Sequence, residues 1–228
     1  MDVIQMHHEF RVLADQVDTG KGRGLFDYQI DTLLNMAQRT LVRSIAVPRF
    51  AEQASKFLGY QGVQRSREDI KNIVVDNYPI IPTKKNGYSY AELPENYMAH
   101  EASYATVPGC SKKSRCFVIQ TDDLNEEDPF SRSDPKWKEI NIDFVEGHLV
   151  KIFYPNVSKY EITYVRNPKD ICIGGYPDFD DTEKVKSECE LSDIIHDDIV
   201  SVASLIFAAS LNSASYSTKL NEITRKGL

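Results

Sequence analysis

The chain has 228 residues, 41% of them hydrophobic, with 27 Lys and Arg against 34 Asp and Glu and a formal charge of −7. That supplies an ordinary core for one large domain or two small ones, and it argues against a surface built mainly to grip nucleic acid by phosphate neutralisation. The most apolar stretch, Ile199 to Leu211, is interrupted by Ser201, Ser204 and Ser210, and the start lacks a secretory pattern, so folding in a cytoplasm is expected, with no membrane partner and with Cys110, Cys116, Cys172 and Cys189 reduced.

Val3, Met6, Phe10, Leu13 and Val17 recur at three- and four-residue spacing, which predicts an amphipathic helix ending near Asp18. Three glycines between Thr19 and Gly24 predict the turn of a helical hairpin. Phe26, Ile30, Leu33, Leu34, Ala37 and Leu41 form a second stripe, with Asp27 and Asp31 toward the positive end of the helix dipole and Pro48 closing the segment. Ile70, Ile73 and Val74 suit a short third helix starting near Ser66 or Arg67.

From Tyr78 the pattern changes. Tyr78 to Pro82 is extended by its prolines, and Asn86-Gly87 predicts a tight turn before the strand Tyr88 to Leu93. Cys116 to Gln120, Ile140 to Phe144, His148 to Phe153 and Tyr160 to Val165 supply four more strands, with Glu146-Gly147 and Pro155-Asn156 as turns between the last three. Gly174-Gly175-Tyr176-Pro177 leads into an acidic loop, Asp178 to Glu183. A long helix then starts at the N-cap Ser192, with Ile195, Ile199, Val202 and Ile206 as its buried stripe and small residues such as Ala203, Ala208, Ala209 and Ser210 permitting close helix approach.

The expected fold class is α+β: N- and C-terminal helical segments packed as a small bundle, with an antiparallel β-sandwich or barrel-like domain inserted between them. The expected boundaries are a helical part over 1–77, a β domain over 78–175, and a C-terminal helix with a basic tail over 190–228.

Residues that carry chemistry are sparse. In His7-His8-Glu9 the adjacent histidines point about 100° apart on a helix and do not share a face, so a metal site is not assigned. Cys110 and Cys116 flank a basic loop, Ser111 to Arg115, without a second cysteine pair to complete a zinc site. The runs Asp122-Asp123, Glu126 to Asp128, and Asp178, Asp180 and Asp181 lack the spacing and internal glycine of a calcium loop. Gly20, Gly22 and Gly24 follow no strand, and His148 and His196 have no evident nucleophile, so no catalytic residue and no cofactor is assigned and the expectation is a protein without enzymatic activity. Tyr88, Tyr90 and Tyr97 read as packing residues, and Trp137 as a core or interface anchor.

The order of elements resembles a known family. Phe26-Asp27-Tyr28-Gln29-Ile30-Asp31 leading into Leu34-Asn35-Met36-Ala37-Gln38 resembles the opening of structural proteins from crAss-like and related short-tailed bacteriophages. Leu93-Pro94-Glu95-Asn96-Tyr97, the loop from Asp122-Asp123-Leu124 to Asp128-Pro129-Phe130, and Ile162-Thr163-Tyr164-Val165-Arg166-Asn167-Pro168 are similar to motifs of their head-to-tail connector, or ring, proteins. The resemblance implies a virion protein at the capsid–tail junction, assembled in the host bacterial cytoplasm. It would form a twelve-fold ring of itself under the portal protein, contact adjacent tail or ring proteins, and let genomic DNA pass without sequence-specific binding. A ring subunit needs two complementary faces. The candidates are Ile199, Val202, Ala203, Ile206 and Ala209 on the last helix, Trp137 in the β block, and the basic end with Lys219, Arg225 and Lys226. The alternative is a virion-associated carbohydrate-binding module or an enzyme subunit of the tail, using Tyr88, Tyr90 and Trp137.

Overall fold

A computed structural model describes residues 1–17, 25–46, 68–110, 112–119, 134–145, 148–177 and 181–210, and the chain divides into two units, Met1–Ile73 with Pro168–Leu228, and Val74–Asn167. The expected Gly20 to Gly24 turn, Pro48, Ser66, Arg67, the acidic runs of 122–128, Glu146-Gly147 and the basic end lie outside the described residues. Helices at both ends and an inserted β domain are as expected for the α+β class. The stretch 168–175, assigned to the β domain from sequence, runs with the helices.

The first unit is built on α1 (Val3–Val17), α2 (Asp27–Ala46) and α3 (Asp193–Ser210), with α3 packed against both others. The predicted stripes are largely the buried faces: Val3, Met6 and Phe10 on α1, Ile30, Leu34, Ala37 and Leu41 on α2, and Ile195 and Ile199 on α3. Phe10 meets Phe207 edge-on at 6.0 Å. Phe26 departs from expectation. It lies just before the first turn of α2, is 65% exposed, and stacks on Tyr28 instead of entering the core. Residues 68–70 are helical and pass into a 3-10 turn, Lys71–Ile73, but Val74 opens a strand rather than continuing a helix, as β-branched neighbours such as Ile73, Val74 and Val75 favour.

Past Pro168 the chain is strapped to α2. The Asn35 side chain donates to the Ile171 carbonyl (2.8 Å) and accepts from the Ile171 N–H (2.7 Å), and Gln38 donates to the Lys169 carbonyl (3.0 Å). The strap then doubles back through an antiparallel bridge of Cys172 with Ser187. Gly174 is required at the fold-back: its φ is 78°, and a Cβ there would stand 2.8 Å from the Lys186 backbone nitrogen.

The second unit is one eight-stranded sheet curled into a half-barrel: β1 (Val74–Ile80), β2 (Thr83–Lys85), β3 (Tyr88–Glu92), β4 (Tyr97–Thr106), β5 (Ser114–Val118), β6 (Glu139–Val145), β7 (Leu149–Ile152) and β8 (Lys159–Arg166), in the order β1-β8-β4-β5-β6-β7-β3-β2. The Asn86-Gly87 turn closes β2 onto β3 with φ values of 52° and 82°, the left-handed pair that such a hairpin demands. Three features were not expected. β4 is the longest strand of the sheet, β5 pairs with β6 in parallel, and β7 and β8 are not neighbours, so Pro155-Asn156 connects strands without making a hairpin. Register shifts in β4 and β1, with Asn77 in the left-handed region, add the local twist that curls the sheet.

The edge strands are consecutive in sequence. Only Ile81 and Pro82 separate β1 from β2, so Ile80 and Thr83, where the two edge strands are joined, lie within about 11 Å by the reach of the chain. Inside the curl Ile140, Ile142, Val150, Ile152, Tyr160 and Ile162 are fully buried.

Candidate functional site

Buried polar groups are the first place to look for chemistry. In the helical unit Asp31 and His7 are each 3% exposed, with His7 Nε2 2.7 Å from Asp31 Oδ1. Tyr176 donates its hydroxyl to Asp31 Oδ2 (2.6 Å), and the Ile173 N–H donates to the same oxygen (3.1 Å). Burial alone would raise the Asp31 carboxyl. The hydrogen bonds from His7, Tyr176 and Ile173 outweigh it and hold the group below its ordinary value, so Asp31 is a carboxylate and acts only as an acceptor. Burial, and then the bond to Asp31, push the Tyr176 phenol up. This constellation pins α1 and the strap to α2. Both Asp31 oxygens are taken up by donors of the same unit, so the constellation reads as a latch, with Asp31 and Tyr176 in the wall of the neighbouring cleft.

Beside the latch lies an open cleft of about 460 Å³ between α2 and the strap, lined by Tyr28, Met36, Arg39, Asp170, Tyr176 and Lys184 among others. Met36 and Tyr28 are both 49% exposed, and Arg39 pairs with Asp170 at 2.6 Å on its rim.

The β unit has its own polar knot. His100 Nε2 lies 3.0 Å from Ser103 Oγ, the spacing of a nucleophile and its base. Ser103 is 1% exposed, however, so no substrate reaches it. Burial lowers the His100 imidazole and pushes the neighbouring Cys116 thiol up to about 12. An imidazole sharing a hydrogen bond with a buried hydroxyl, next to an inert thiol, is core hydrogen bonding.

The outer surface of the β unit is more distinctive. The strand registers bring the end of β2, the starts of β3, β5, β6 and β8, and the end of β4 to one end of the sheet. Lys84 and Lys85 flank the β2–β3 turn there, Lys112, Lys113 and Arg115 lead into β5, Lys136 and Lys138 precede β6, and Lys159 opens β8, and all of them are exposed. Against these eight cations stand Asp134, Glu139 and Glu161 among the described residues of that end. Glu161 is 5% exposed because Lys113 and Lys159 cap its two oxygens, the latter at 2.7 Å. Those two hydrogen bonds, Lys113 first, hold its carboxyl below the usual range. An acidic chain therefore carries one basic pole.

At that pole Trp137 is 68% exposed on a 3-10 turn, Pro135–Trp137, held at every step. Asp134 Oδ1 accepts from the Lys136 N–H (2.8 Å), Lys138 takes a left-handed φ of 61° and donates back to the Pro135 carbonyl (3.0 Å), and Arg115 N–H donates to the Lys138 carbonyl (2.8 Å). The indole is presented on a rigid platform.

The other sequence candidates fall in different places. Ile199 and Ala203, expected to face a neighbouring subunit, are fully buried inside the helical unit, on the helix α3 that packs against α1 and α2. Val202 and Ile206 are half-buried and Ala209 is exposed, while Lys219, Arg225 and Lys226 lie outside the described residues. Tyr88 and Tyr90 are half-buried on the outer face, but the Lys151 ammonium sits 4.0 Å from the Tyr88 ring centroid and Phe153 packs edge-on against it, so that ring is already covered. His8 and Glu9 are exposed and do not join His7, and among the described residues no group of three His, Cys, Asp or Glu is placed to hold a metal ion. Nor is any described helix long and apolar enough to cross a membrane. The latch and the basic pole escaped sequence reading, since their members are drawn from separate elements; the Lys84-Lys85, Lys112-Lys113 and Lys136-Trp137-Lys138 runs signalled parts of the pole locally.

Together a latched helical unit and a curled sheet with a rigid, charged, aromatic pole define a structural subunit that works through its surfaces. The comparison with family models agrees and is specific: the phage tail ring protein 3/4 family, of crAss-like phages, matches residues 1–220. The chain belongs to that family. It is a structural component of the virion, acting in an oligomeric assembly with other tail or ring proteins. None of the curated proteins compared with it matches.

Proposed function

We propose that this protein is a connector subunit joining the portal to the tail, that it closes a twelve-fold ring of its own copies, and that the ring encloses the path by which DNA leaves the capsid. The observation that carries the reading is the family match over residues 1–220, because a ring in a phage tail is coaxial with the genome's exit. Its role in this reading is assembly rather than catalysis, with apolar and charged faces of one copy meeting different faces of the next. The interface residues are Trp137 with its flanking lysines, and on α3 the half-buried Val202 and Ile206 and the exposed Ala209. The acidic balance of the chain suits a lumen that does not hold phosphate tightly, since each cation lining it would add to a salt-dependent grip on DNA.

The test is to mix the purified chain with portal protein and examine the product by native mass spectrometry and cryo-electron microscopy. A closed twelve-subunit ring seated on the portal is expected. A monomer that ignores the portal and binds glycans sinks the reading.

A further inference from the structure

The basic pole is organised around Trp137, and a large aromatic side chain left 68% exposed on a fixed turn is an interface anchor awaiting a recess. Its surroundings specify the partner. Lys136 and Lys138 flank the indole, so the partner must carry negative charge beside an apolar surface. Duplex phosphate supplies the charge without the apolar surface. The cleft beside α2 supplies the apolar surface, but its carboxylates are already engaged, Asp170 by Arg39 at 2.6 Å and Asp31 by the latch, and so are not spare for a lysine-flanked knob. Among the described residues, the start of α3 has both properties. There Ile194 is 76% exposed, Asp197 beside it is exposed, and Asp193, whose Oδ1 takes the Met1 ammonium at 3.1 Å, still keeps its side chain 85% exposed. The two patches mirror each other: an apolar side chain between cations, and an apolar side chain between anions.

We propose that the Trp137 pole of one copy docks on the Ile194 surface of the next, giving the head-to-tail contact from which the ring closes. Patches that differ on the two sides form a heterologous contact, which generates rings when its rotation closes. The inference rests on ring assembly by this family and not on placement against the portal.

The experiment uses two charge-reversed full-length chains, Lys136→Glu with Lys138→Glu, and Asp193→Lys with Asp197→Lys, each checked for native circular dichroism. In either variant alone, like charges face each other. Self-association measured by native mass spectrometry at low salt should weaken about a hundredfold in each. In an equimolar mixture every contact again joins opposite charges, and assembly should return with the two variants alternating. Trp137 is the only tryptophan of the chain, so its emission should shift to the blue on assembly of the wild type. A wild type that stays monomeric, a folded variant that assembles alone like the wild type, or a mixture that does not recover overturns the proposal. So does assembly that leaves the emission unchanged, and so does a pole whose reversal removes only duplex-DNA binding. Rings that recover in the mixture but do not bind portal would sink the connector reading and leave this contact standing.

Discussion

Asp31 in the helical unit and Glu161 in the β unit are both carboxylates at 5% exposure or less, yet they are neutralised from opposite directions. Asp31 is enclosed by His7, Tyr176 and the Ile173 amide, groups that are themselves inside the unit. Glu161 is covered from without by Lys113 and Lys159, whose side chains remain 53% and 48% exposed. An internal acceptor fastens separate stretches of chain together, whereas a capped carboxylate fixes where surface cations stand. The first should govern stability and the second recognition.

The sharpest way to break that contrast is Asp31→Ala. Removing the acceptor strands the His7 imidazole, the Tyr176 hydroxyl and a backbone N–H, and the expected loss is about 3–5 kcal/mol, read as a lowered urea midpoint of the helical unit. Loss of less than about 1 kcal/mol would show that the latch fastens nothing.

Acid separates the two units by pH. His100 has its proton affinity lowered from 6.5 by burial, so the stability it contributes is present above pH 6.5 and is lost as pH falls through its lower folded value. Asp31 is lowered from 3.8 by its hydrogen bonds against the opposing effect of burial, so its contribution is present above pH 3.8 and disappears only below it. Hydrogen exchange on a falling pH series should therefore show β4 around His100 losing protection before the latch does. The reverse order would contradict both assignments.

Lys113→Ala should have the smallest effect. An ion pair with a half-exposed lysine contributes no more than about 1 kcal/mol, and Lys159 still caps Glu161 in its absence. Thermal denaturation should barely move, and a loss approaching that of Asp31→Ala would erase the distinction between fastening and surface organisation.

Sequence spoke for what is local. The stripe Val3, Met6 and Phe10, the Asn86-Gly87 turn and the alternation of Ile140 with Ile142 each depend on neighbours a few residues away, and each is where periodicity placed it. β4 did not announce itself, because Ala99, Ala102 and Ala105 lack strand propensity and the strand is imposed by β8 and β5 on either side. Trp137 stood out in the sequence as the one tryptophan, and it is exposed, but the cations around it come from segments between Lys84 and Lys159 that only the folded sheet gathers. Ile199 and Ala203 show the complementary limit: a small or branched residue on a helical stripe looks the same whether it meets its own chain or another.

The two-residue link Ile81-Pro82 also fixes a timetable for synthesis. β1 emerges first and its partner β8 emerges last, so a nascent sheet can assemble β2, β3 and β7 around β6 while β1 hangs from the same short link with nothing to pair with. During that interval β1, like β4, shows an unpaired edge of the kind that adheres to other chains. Pro79, which has no N–H to offer, and the lysines Lys84 and Lys85 on the opposite edge strand guard those edges until residue 166 has left the ribosome.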